Sequence, residues 1–378
     1  MIVNSATFRD FRNLRDETIG FSPSVNVLWG MNAQGKSNIL EGIWYFARGR
    51  SFRGAHDRDM IRNGAPAAAV SVSVGREGNQ YPVVLGAELY HTGKKRLTRS
   101  GAPLSSVSEM IGNLRAVLFC PAHLSVVSGG PAERRSFLDV AIAQLDPGYI
   151  ADLSLYRAAL AHRSALLKKH AAGGTVTTEE WEVWADRMSD AGARIAECRA
   201  KYVEKLSRFV SAFFEEMTEG RETPSVSYRS HLLPQDGEEF TVDRGRAALF
   251  EKLTTNVERE SAAGATLWGV HKDDVRLTLD GNDARLFASQ GQQRSFALAM
   301  KLSEGEISRE LSGEYPVFLL DDVFSELDAS RRRYIMDRLS GRQIIVTSCE
   351  PSVVPDGSGT ARFIEIEGGR VKRQSSEK

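Results

Sequence analysis

Short, nearly continuous apolar runs stand near both ends of the chain. Val25-Asn26-Val27-Leu28-Trp29 is one such run, and residues 316–321 and 343–348 contain two more. Runs of this length are typical of strands in a parallel sheet that is buried on both faces. A polar loop follows the first run, and residues 38–46 then repeat apolar side chains at helical spacing. The pattern predicts a strand-loop-helix unit within an α/β fold.

A different pattern covers residues 68–119, where apolar and polar positions alternate. It is clearest at Ala69-Val70-Ser71-Val72-Ser73-Val74. Alternation with period two predicts strands that have one buried face. Residues 81–91 are a candidate partner strand, and Ser100-Gly101 is a candidate turn. This part of the chain is therefore expected to be rich in strands.

The middle of the chain has a helical pattern. Apolar residues recur every three or four positions from Trp181 to Phe213, in a stripe about 33 residues long. Thr177 and Glu180 form a candidate capping box at its start. An earlier helix over about 148–170 is followed by a small-residue linker. The two helices either form a hairpin packed on the core or project as a short arm.

The loop after the first apolar run carries the motif G-x-x-x-x-G-K-[ST]. Its residues are Gly30-Met31-Asn32-Ala33-Gln34-Gly35-Lys36-Ser37. The glycines allow a tight path in which backbone N–H groups meet phosphate at a helix start, while the lysine supplies a cation. The serine hydroxyl is a ligand for Mg²⁺. We therefore expect ATP to bind at residues 30–37.

Two adjacent carboxylates follow the apolar run near the other end. Asp321 stands where the run ends, the usual place of a carboxylate that positions Mg²⁺. Asp322 is a candidate general base for the attacking water. The alternative is that both aspartates cap a turn. We predict catalytic roles for Lys36, Asp321 and Asp322. The predicted metal ligands are Ser37 and Asp321.

A third loop, Ser289-Gln290-Gly291-Gln292-Gln293, leads into a helix predicted within residues 287–311. It resembles the signature loop of ABC-type ATPases, in which the signature of one subunit closes on the γ-phosphate held by the other. A serine hydroxyl and glycine N–H groups at a helix start suit an anion. The resemblance implies nucleotide contacts for Ser289, Gly291 and Gln292. Ser325-Glu326-Leu327-Asp328 resembles the D-loop of the same superfamily.

Several blocks between residues 8 and 328 match a narrower family in one order. They are Phe8-x-x-Phe11-Arg12-Asn13-Leu14, Phe119-x-Pro121, Arg134-Arg135-x-Phe137-Leu138-Asp139, Gly269-x-His271-Lys272-Asp273-Asp274, Ser289-Gln290-Gly291-Gln292 and Leu320-Asp321-Asp322-Val323-Phe324-Ser325-Glu326-Leu327-Asp328. Together they resemble the RecF family of bacterial DNA repair proteins. One departure is Ala122-His123, where the family tends to carry an acidic pair.

The resemblance implies an α/β fold, an ABC-type P-loop ATPase head with a mixed β-sheet, plus a smaller, mainly helical second lobe. We expect residues 1–145 and 266–378 to form the ATPase lobe and residues 146–265 to form the helical lobe. The resemblance also implies weak ATPase activity, ATP-dependent homodimerisation, and binding of single- and double-stranded DNA, especially gapped junctions. RecR and RecO are the implied partners in placing RecA recombinase at single-strand gaps.

Two other functions stay open beside this one. A transport-energising ABC ATPase subunit would need a membrane partner and would show little ATP-dependent affinity for DNA. A structural DNA tether would use ATP only to lock a complex, and its turnover would be incidental. The RecF-like blocks argue against the first alternative.

Charge and cysteine content limit how the protein could contact DNA and in which compartment it is expected. Lys+Arg and Asp+Glu both number 49, so any contact with DNA must come from a local patch. The candidate patch is a run of arginines that could instead be a solvated face, namely Arg48, Arg50, Arg53, Arg58 and Arg62. Three dispersed cysteines favour a reducing compartment. No apolar run approaches the ~20 residues that span a bilayer, so we expect a soluble, cytoplasmic protein with no membrane partner.

Two further residues are candidates for the nucleotide site. Arg12 lies near the first turn and is either a nucleotide contact or part of a structural ion pair. Thr347 ends a strand that would neighbour the Asp321 strand in a standard order, so it is a candidate sensor of the γ-phosphate. We expect the polar and charged end of the chain, residues 370–378, to fray.

Overall fold

The computed structural model describes residues 1–234, 239–351 and 361–377. The chain forms two compact units. The first unit contains residues 1–124 and the chain from Lys301 onward, and the second unit contains residues 125–300. Within the described ranges, no helix has both the length and the apolar character needed to cross a membrane.

The first unit begins with eight strands and two helices, which are β1 (Ile2–Phe11), β2 (Leu14–Gly20), β3 (Val25–Trp29), α1 (Lys36–Arg48), β4 (Ala67–Gly75), β5 (Val83–Tyr90), β6 (Lys95–Arg99), β7 (Ala102–Leu104), α2 (Val107–Met110) and β8 (Ala116–Phe119). The second unit contributes α3 (Ser125–Ser128), α4 (Pro131–Ala143), α5 (Pro147–Ala171), α6 (Thr178–Thr218), β9 (Pro224–Arg229), α7 (Val242–Thr255), α8 (Val257–Ala263), β10 (Asp274–Leu279), β11 (Asn282–Asp283), α9 (Ala284–Phe287) and α10 (Gln290–Ser312), the last of which continues into the first unit. The first unit ends with β12 (Val317–Asp321), α11 (Ala329–Arg338), β13 (Ile344–Ser348), β14 (Ala361–Glu367) and β15 (Arg370–Glu377).

One sheet of the first unit is antiparallel, with strand order β2-β1-β4-β5-β6-β7. The alternation at residues 69–74 is confirmed, because β4 buries every second side chain. Helix α1 packs on β1 and β4. A Cβ added at Gly42 of α1 would lie 2.5 Å from the ring of Phe8, so this close approach requires glycine. The buried face of the sheet and the apolar side of α1 therefore share one core.

The other sheet of the first unit has the order β15-β14-β3-β13-β12-β8 and is parallel from β14 to β8. Strands β12 and β13 are buried along their whole length, as their apolar runs predict. Parallel pairing brings the carboxyl ends of β3, β12 and β13 to one edge. The expectation that residues 370–378 fray was wrong for Arg370–Glu377, because β15 pairs with β14 over seven positions.

The second unit is mainly helical and carries a three-stranded sheet, β11-β10-β9. The predicted stripe lies in α6, and Thr177 and Glu180 make the predicted capping box. Helix α6 packs on α5 and α7, so the hairpin is part of the core of this unit.

Charged residues lie inside the second unit in closed groups. The guanidinium of Arg163 and the carboxylate of Glu260 are fully buried and lie 2.6 Å apart. Arg199 donates to Asp139 at 2.8 Å and to the hydroxyl of Tyr149 at 2.9 Å. These pairs join α5 to α8 and α6 to α4.

The compact units divide the chain elsewhere than at the predicted lobe boundaries of 145/146 and 265/266. Residues 125–145 belong with the helical unit because Arg134 of α4 binds Asp274 of β10 at 2.7 and 2.9 Å. Residues 266–300 belong there because β10 pairs with β9 across a long sequence separation. Neither contact has a local sequence signal.

Candidate nucleotide-binding site

The glycine-containing loop joins β3 to α1 through two positions that only glycine can occupy. Gly30 and Gly35 have φ values of 145° and 110°, in a region that other residues avoid. A Cβ at Gly30 would collide with the carbonyl oxygen of Ile366, and one at Gly35 would lie 2.7 Å from Oδ1 of Asn13. The loop is therefore pressed against β14 and the first hairpin.

Helix α1 begins at this loop without a side-chain cap and without an acidic residue in its first turn. The ammonium of Lys36 turns back and donates to the carbonyl oxygens of Gly30 at 2.5 Å and Met31 at 2.8 Å. Uncapped N–H groups at a helix start attract anions, and the lysine adds a full positive charge beside them. This donor set fits the phosphates of a nucleotide.

One cavity gathers the ends of three elements of the parallel sheet. It is lined by Asn32, Ala33, Gln34, Gly35, Lys36, Ser37, Asn38, Arg53, Asp322, Thr347 and Cys349. Six of these residues belong to the predicted loop, and two others, Asp322 and Thr347, were also predicted as site residues. The sequence predictions for this part of the site thus converge on one place, although their contacts with nucleotide stay predictions.

Thr347 links the two carboxylate positions. Its hydroxyl donates to Oδ1 of Asp321 at 2.9 Å and accepts the N–H of Asp322 at 2.9 Å. Asp321 is buried at the end of β12, directly opposite Thr347 in the parallel ladder. A carboxylate and a serine hydroxyl are oxygen donors, which Mg²⁺ prefers. Asp321 and Ser37 therefore have the chemistry for the predicted metal site.

Asp322 has a strained backbone and an exposed side chain. Its φ of 53° is in the left-handed region, where non-glycine residues are uncommon. Its N–H is held by Thr347, and its carbonyl oxygen accepts from the hydroxyl of Ser325 at 2.7 Å. Within the described part of the chain, its carboxylate makes no hydrogen bond or ion pair. Strain that fixes an unpartnered polar group beside a cavity is characteristic of functional sites.

Asp328, six residues later, is the carboxylate that caps a helix in this region. It accepts the N–H of Arg331 at 2.9 Å at the start of α11. A hydrogen bond from Ser330 and the Arg331 contacts lower the pKa of Asp328 to about 2. Asp328 therefore caps α11, while the catalytic roles of Asp321 and Asp322 stay predictions.

Arg12 lies in a partly buried ion pair. Its guanidinium donates to both carboxylate oxygens of Glu41 at 2.9 Å and to the carbonyl oxygen of Asp59 at 2.7 Å. Glu41 lies on the buried side of α1 and also accepts from the hydroxyl of Ser51. These contacts match the structural alternative, while a nucleotide contact for Arg12 stays a prediction.

Three residues that line the cavity were not predicted for it, namely Asn38, Arg53 and Cys349. Arg53 was missed because it was grouped with the arginines for DNA. It lines the cavity and donates to Oδ1 of Asn38 at 2.9 Å. Glu41 was missed as well. A carboxylate among the apolar residues of a buried helix requires a cation, and this was the available signal.

The loop that follows β8 contains His123. Enclosure of its imidazole, together with Lys301 and Arg48, lowers the pKa of His123 well below its ordinary value. The imidazole is therefore neutral near pH 7. Its Nδ1 is buried and has no hydrogen-bond partner among the described residues.

The signature residues lie in the second unit, at the start of α10. Ser289 and Gln292 cap the helix reciprocally, since the N–H of Ser289 donates to Oε1 of Gln292 at 2.7 Å and the N–H of Gln292 donates to Oγ of Ser289 at 3.3 Å. Gln292 also donates to Glu222 at 2.9 Å. Ser289 is exposed, while Gly291 and Gln292 are half-buried. Nucleotide contacts for these three residues stay predictions.

Comparison of the sequence with known families gives a match along almost the whole chain. The family described as RecF/RecN/SMC N terminal domain matches residues 2–371. A DNA replication and repair protein RecF from Halothermothrix orenii is 36% identical over 378 residues and covers 100% of both chains. A protein of the same name from Ligilactobacillus salivarius is 32% identical over 379 residues, covering 100% of this chain and 98% of its own.

Comparison with solved structures agrees with the sequence comparison. The recombination mediator protein RecF-ATPrS of the RecFOR pathway superposes with a TM-score of 0.90 and 33% identity, covering 98% of this chain and 97% of its own. The corresponding RecF-ATP structure has a TM-score of 0.89 and 33% identity, with coverage of 100% and 97%. An SMC head bound to the C-winged helix domain of ScpA has a TM-score of 0.58 and 16% identity, which shows a shared fold.

Proposed function

The chain belongs to the RecF family, and from that membership we propose that it is an ATP-dependent DNA-binding protein of recombinational repair and replication. The observation that carries the proposal is the cavity at the edge of the parallel sheet. It joins an uncapped helix start, the lysine of the phosphate loop, an exposed carboxylate and a hydroxyl that holds the Asp321 carboxylate and the backbone N–H of Asp322. Two similar solved structures, which are described as RecF-ATPrS and RecF-ATP, support nucleotide binding.

Residues that line the cavity or lie next to it have separate roles in this proposal. Lys36 and the first N–H groups of α1 hold the phosphates, and Gly30 and Gly35 keep the loop close enough to wrap them. Ser37 and Asp321 would hold Mg²⁺, which would supply positive charge to neutralise the phosphates. Asp322 accepts a proton from the attacking water, and Thr347 keeps both aspartates in place. Hydrolysis is slow and serves to reset a conformational state.

A second copy of the chain completes the site. Ser289, Gly291 and Gln292 of that copy offer a hydroxyl and N–H groups to the γ-phosphate. Exposed apolar side chains lie beside the phosphate loop and beside the signature residues, which are the two surfaces that would meet in the proposed dimer interface. Met31 in the phosphate loop is 77% exposed, and Leu286 and Phe287 before the signature are 70% and 72% exposed. Covering these side chains would favour the closed dimer.

The closed dimer binds duplex and single-stranded DNA at gapped junctions. There it acts with RecR- and RecO-type mediator proteins to help load a recombinase on the single-stranded region. ATP binding favours the closed state and hydrolysis reopens it, so affinity for DNA follows the nucleotide state.

The test is binding to labelled duplex and gapped DNA with ATP, ADP or no nucleotide at one salt concentration. Lys36→Arg and Ser289→Arg variants are measured beside the parent. We expect ATP to raise the affinity of the parent and both variants to lose that increase. If nucleotide makes no difference to the DNA affinity of the parent, the proposed ATP-dependent closure of the dimer is wrong and a partner-dependent ATPase is the better account.

A further inference from the structure

The two-residue turn between β14 and β15, Gly368-Gly369, contacts the phosphate loop, although Gly368 and Gln34 are 334 residues apart in sequence. Glu367 pairs with Arg370 on either side of the turn. Both glycines have φ values in the left-handed region, 56° and 75°. Turns of this kind hold two antiparallel strands in a fixed register. The β14–β15 turn is therefore a fixed piece of backbone beside the loop.

Two hydrogen bonds join this turn to Gln34 of the phosphate loop. The N–H of Gly368 donates to the side-chain Oε1 of Gln34 at 2.6 Å, and the N–H of Gly369 donates to the carbonyl oxygen of Gln34 at 2.9 Å. The side-chain Nε2 of Gln34 donates to the carbonyl oxygen of Asn32 at 3.3 Å. Both ends of the Gln34 amide are thus bonded to the backbone of the chain itself.

Close packing adds to these hydrogen bonds. A Cβ at Gly369 would lie 2.2 Å from the carbonyl oxygen of Asn13, between β1 and β2. The side chain of Asn13 lies against Gly35 and accepts from Nδ2 of Asn38 at 2.8 Å. Gly369 is buried, whereas Gly368 is exposed. Because there is no free space between the turn and the loop, a displacement of the turn would displace the loop.

The bond to the Gln34 carbonyl also sets the direction of the next N–H group. In a trans peptide the C=O and the N–H point in opposite directions, and the described residues contain no cis peptide bond. Since the Gln34 carbonyl faces the turn, the N–H of Gly35 faces away from it. Among the described residues, the N–H groups of Gln34 and Gly35 have no hydrogen-bond partner. Such free N–H groups are what a phosphate requires.

We propose that Gln34 and Gly369 are positioning residues that keep the phosphate loop in its anion-binding form, so that the β14–β15 turn raises the affinity for ATP. Adjacent unpaired N–H groups carry partial charges of the same sign, so the empty loop needs support from its other side. Neither glycine of the turn lines the nucleotide cavity, and the turn therefore acts through the loop. The inference rests on the proposed function and adds the part of the fold that shapes its site.

The experiment breaks the contact from each side. Gln34→Ala removes the acceptor of the Gly368 N–H, and Gly369→Ala forces the turn away from Asn13. The control is Gly341→Ala, because the φ of Gly341 is 74° and its added Cβ would meet open space. Equilibrium ATP binding, hydrolysis at saturating ATP and thermal unfolding are measured on the full chain. The parent, the single variants and the double variant of Gln34 and Gly369 are compared.

We expect each test variant to raise the Kd for ATP about tenfold, because hydrogen bonds that hold the loop are lost. The double variant should raise the Kd no further than the larger single effect, since both changes break one contact. Hydrolysis at saturating ATP should stay within about twofold of the parent, because bound phosphate orders the loop again. The control should bind ATP as the parent does. Gln34→Ala should keep the unfolding midpoint of the parent, so it decides the matter if Gly369→Ala does not fold.

Three results would overturn the inference and leave the proposed function standing. The first is a Kd of Gln34→Ala within about twofold of the parent. The second is an additive effect in the double variant, and the third is slower hydrolysis at unchanged ATP affinity. If the parent itself binds no ATP, the proposed function and this inference fail together.

Discussion

The nucleotide cavity of the first unit and the core of the second unit use charged side chains in opposite ways. In the core, Arg163 and Glu260 are fully buried and paired with each other. In the cavity, the ammonium of Lys36 is held by carbonyl oxygens, and within the described residues it has no carboxylate partner. Asp322 is exposed, and its carboxylate is likewise unpaired there.

The difference follows from the cost of removing charge from water. A buried charge without a partner costs several kcal/mol, so the core tolerates charges only in closed groups. At an open cavity the same charge remains partly hydrated and can exchange water for a ligand. Charges that are left unpaired but are positioned by neighbouring backbone therefore mark the candidate site, whereas paired buried charges hold the helices together.

The largest expected effect comes from opening the core pair. Glu260→Ala leaves the Arg163 guanidinium buried without its carboxylate and removes the acceptor for the N–H of Leu267. We expect the free energy of unfolding to fall by about 4 kcal/mol, measured by urea unfolding. Glu258→Ala is the control, because this carboxylate on the same helix is 88% exposed. A loss as small as that of the control would contradict the structural role of the pair.

Removing the unpaired carboxylate of Asp322 should instead lower the rate of ATP hydrolysis. Asp322→Asn keeps the side-chain shape, and asparagine tolerates the left-handed backbone at this position. We expect the rate of ATP hydrolysis to fall about 100-fold, or about 2.7 kcal/mol in the barrier, with ATP affinity and unfolding midpoint unchanged. Single-turnover hydrolysis measures the rate, and equilibrium ATP binding measures the affinity. Unimpaired repair by this variant would favour the tether, in which turnover is incidental.

The stability of the second unit should also depend on pH. Burial lowers the pKa of His271 to about 4, and its Nδ1 accepts from the hydroxyl of Tyr156 at 2.7 Å. The neutral form is favoured in the folded state, so this stability is present above the unfolded pKa near 6.5 and is lost as the pH falls toward 4.

We expect a loss of about 2 kcal/mol across that range, measured by urea unfolding at several pH values. His271→Gln should flatten this part of the profile. A parent and variant with parallel profiles would show that His271 does not cause the loss.

The smallest expected effect concerns the exposed apolar side chains at the proposed dimer interface. Phe287→Ser removes a ring that is 72% exposed, so folding stability should not change. We expect the Kd of the ATP-dependent dimer to rise about tenfold, or about 1.4 kcal/mol, as measured by sedimentation. Leu311→Ser is the control, since Leu311 is also apolar and 53% exposed. Equal dimerisation of the two variants would place the contact elsewhere.

Local patterns in the chain were sufficient for much of the fold. The strand-loop-helix unit around Gly30 to Ser37, the alternating strand β4 and the long helix α6 with its capping box all appear where the sequence indicated them. Each depends on residues within a few positions of one another, so periodicity and capping chemistry are readable directly. The same holds for the aspartates at the end of β12.

Contacts between distant residues were decided only by the folded chain. Glu41 draws Arg12 into an ion pair, Arg53 turns to the nucleotide cavity, and the hydroxyl of Thr347 is shared between two aspartates. The pairing of β10 with β9 places β10 in the same compact unit as β9. The local sequence around a side chain is compatible with several contact partners. Which contact forms depends on the elements that pack beside the side chain, and that packing is determined by the whole chain.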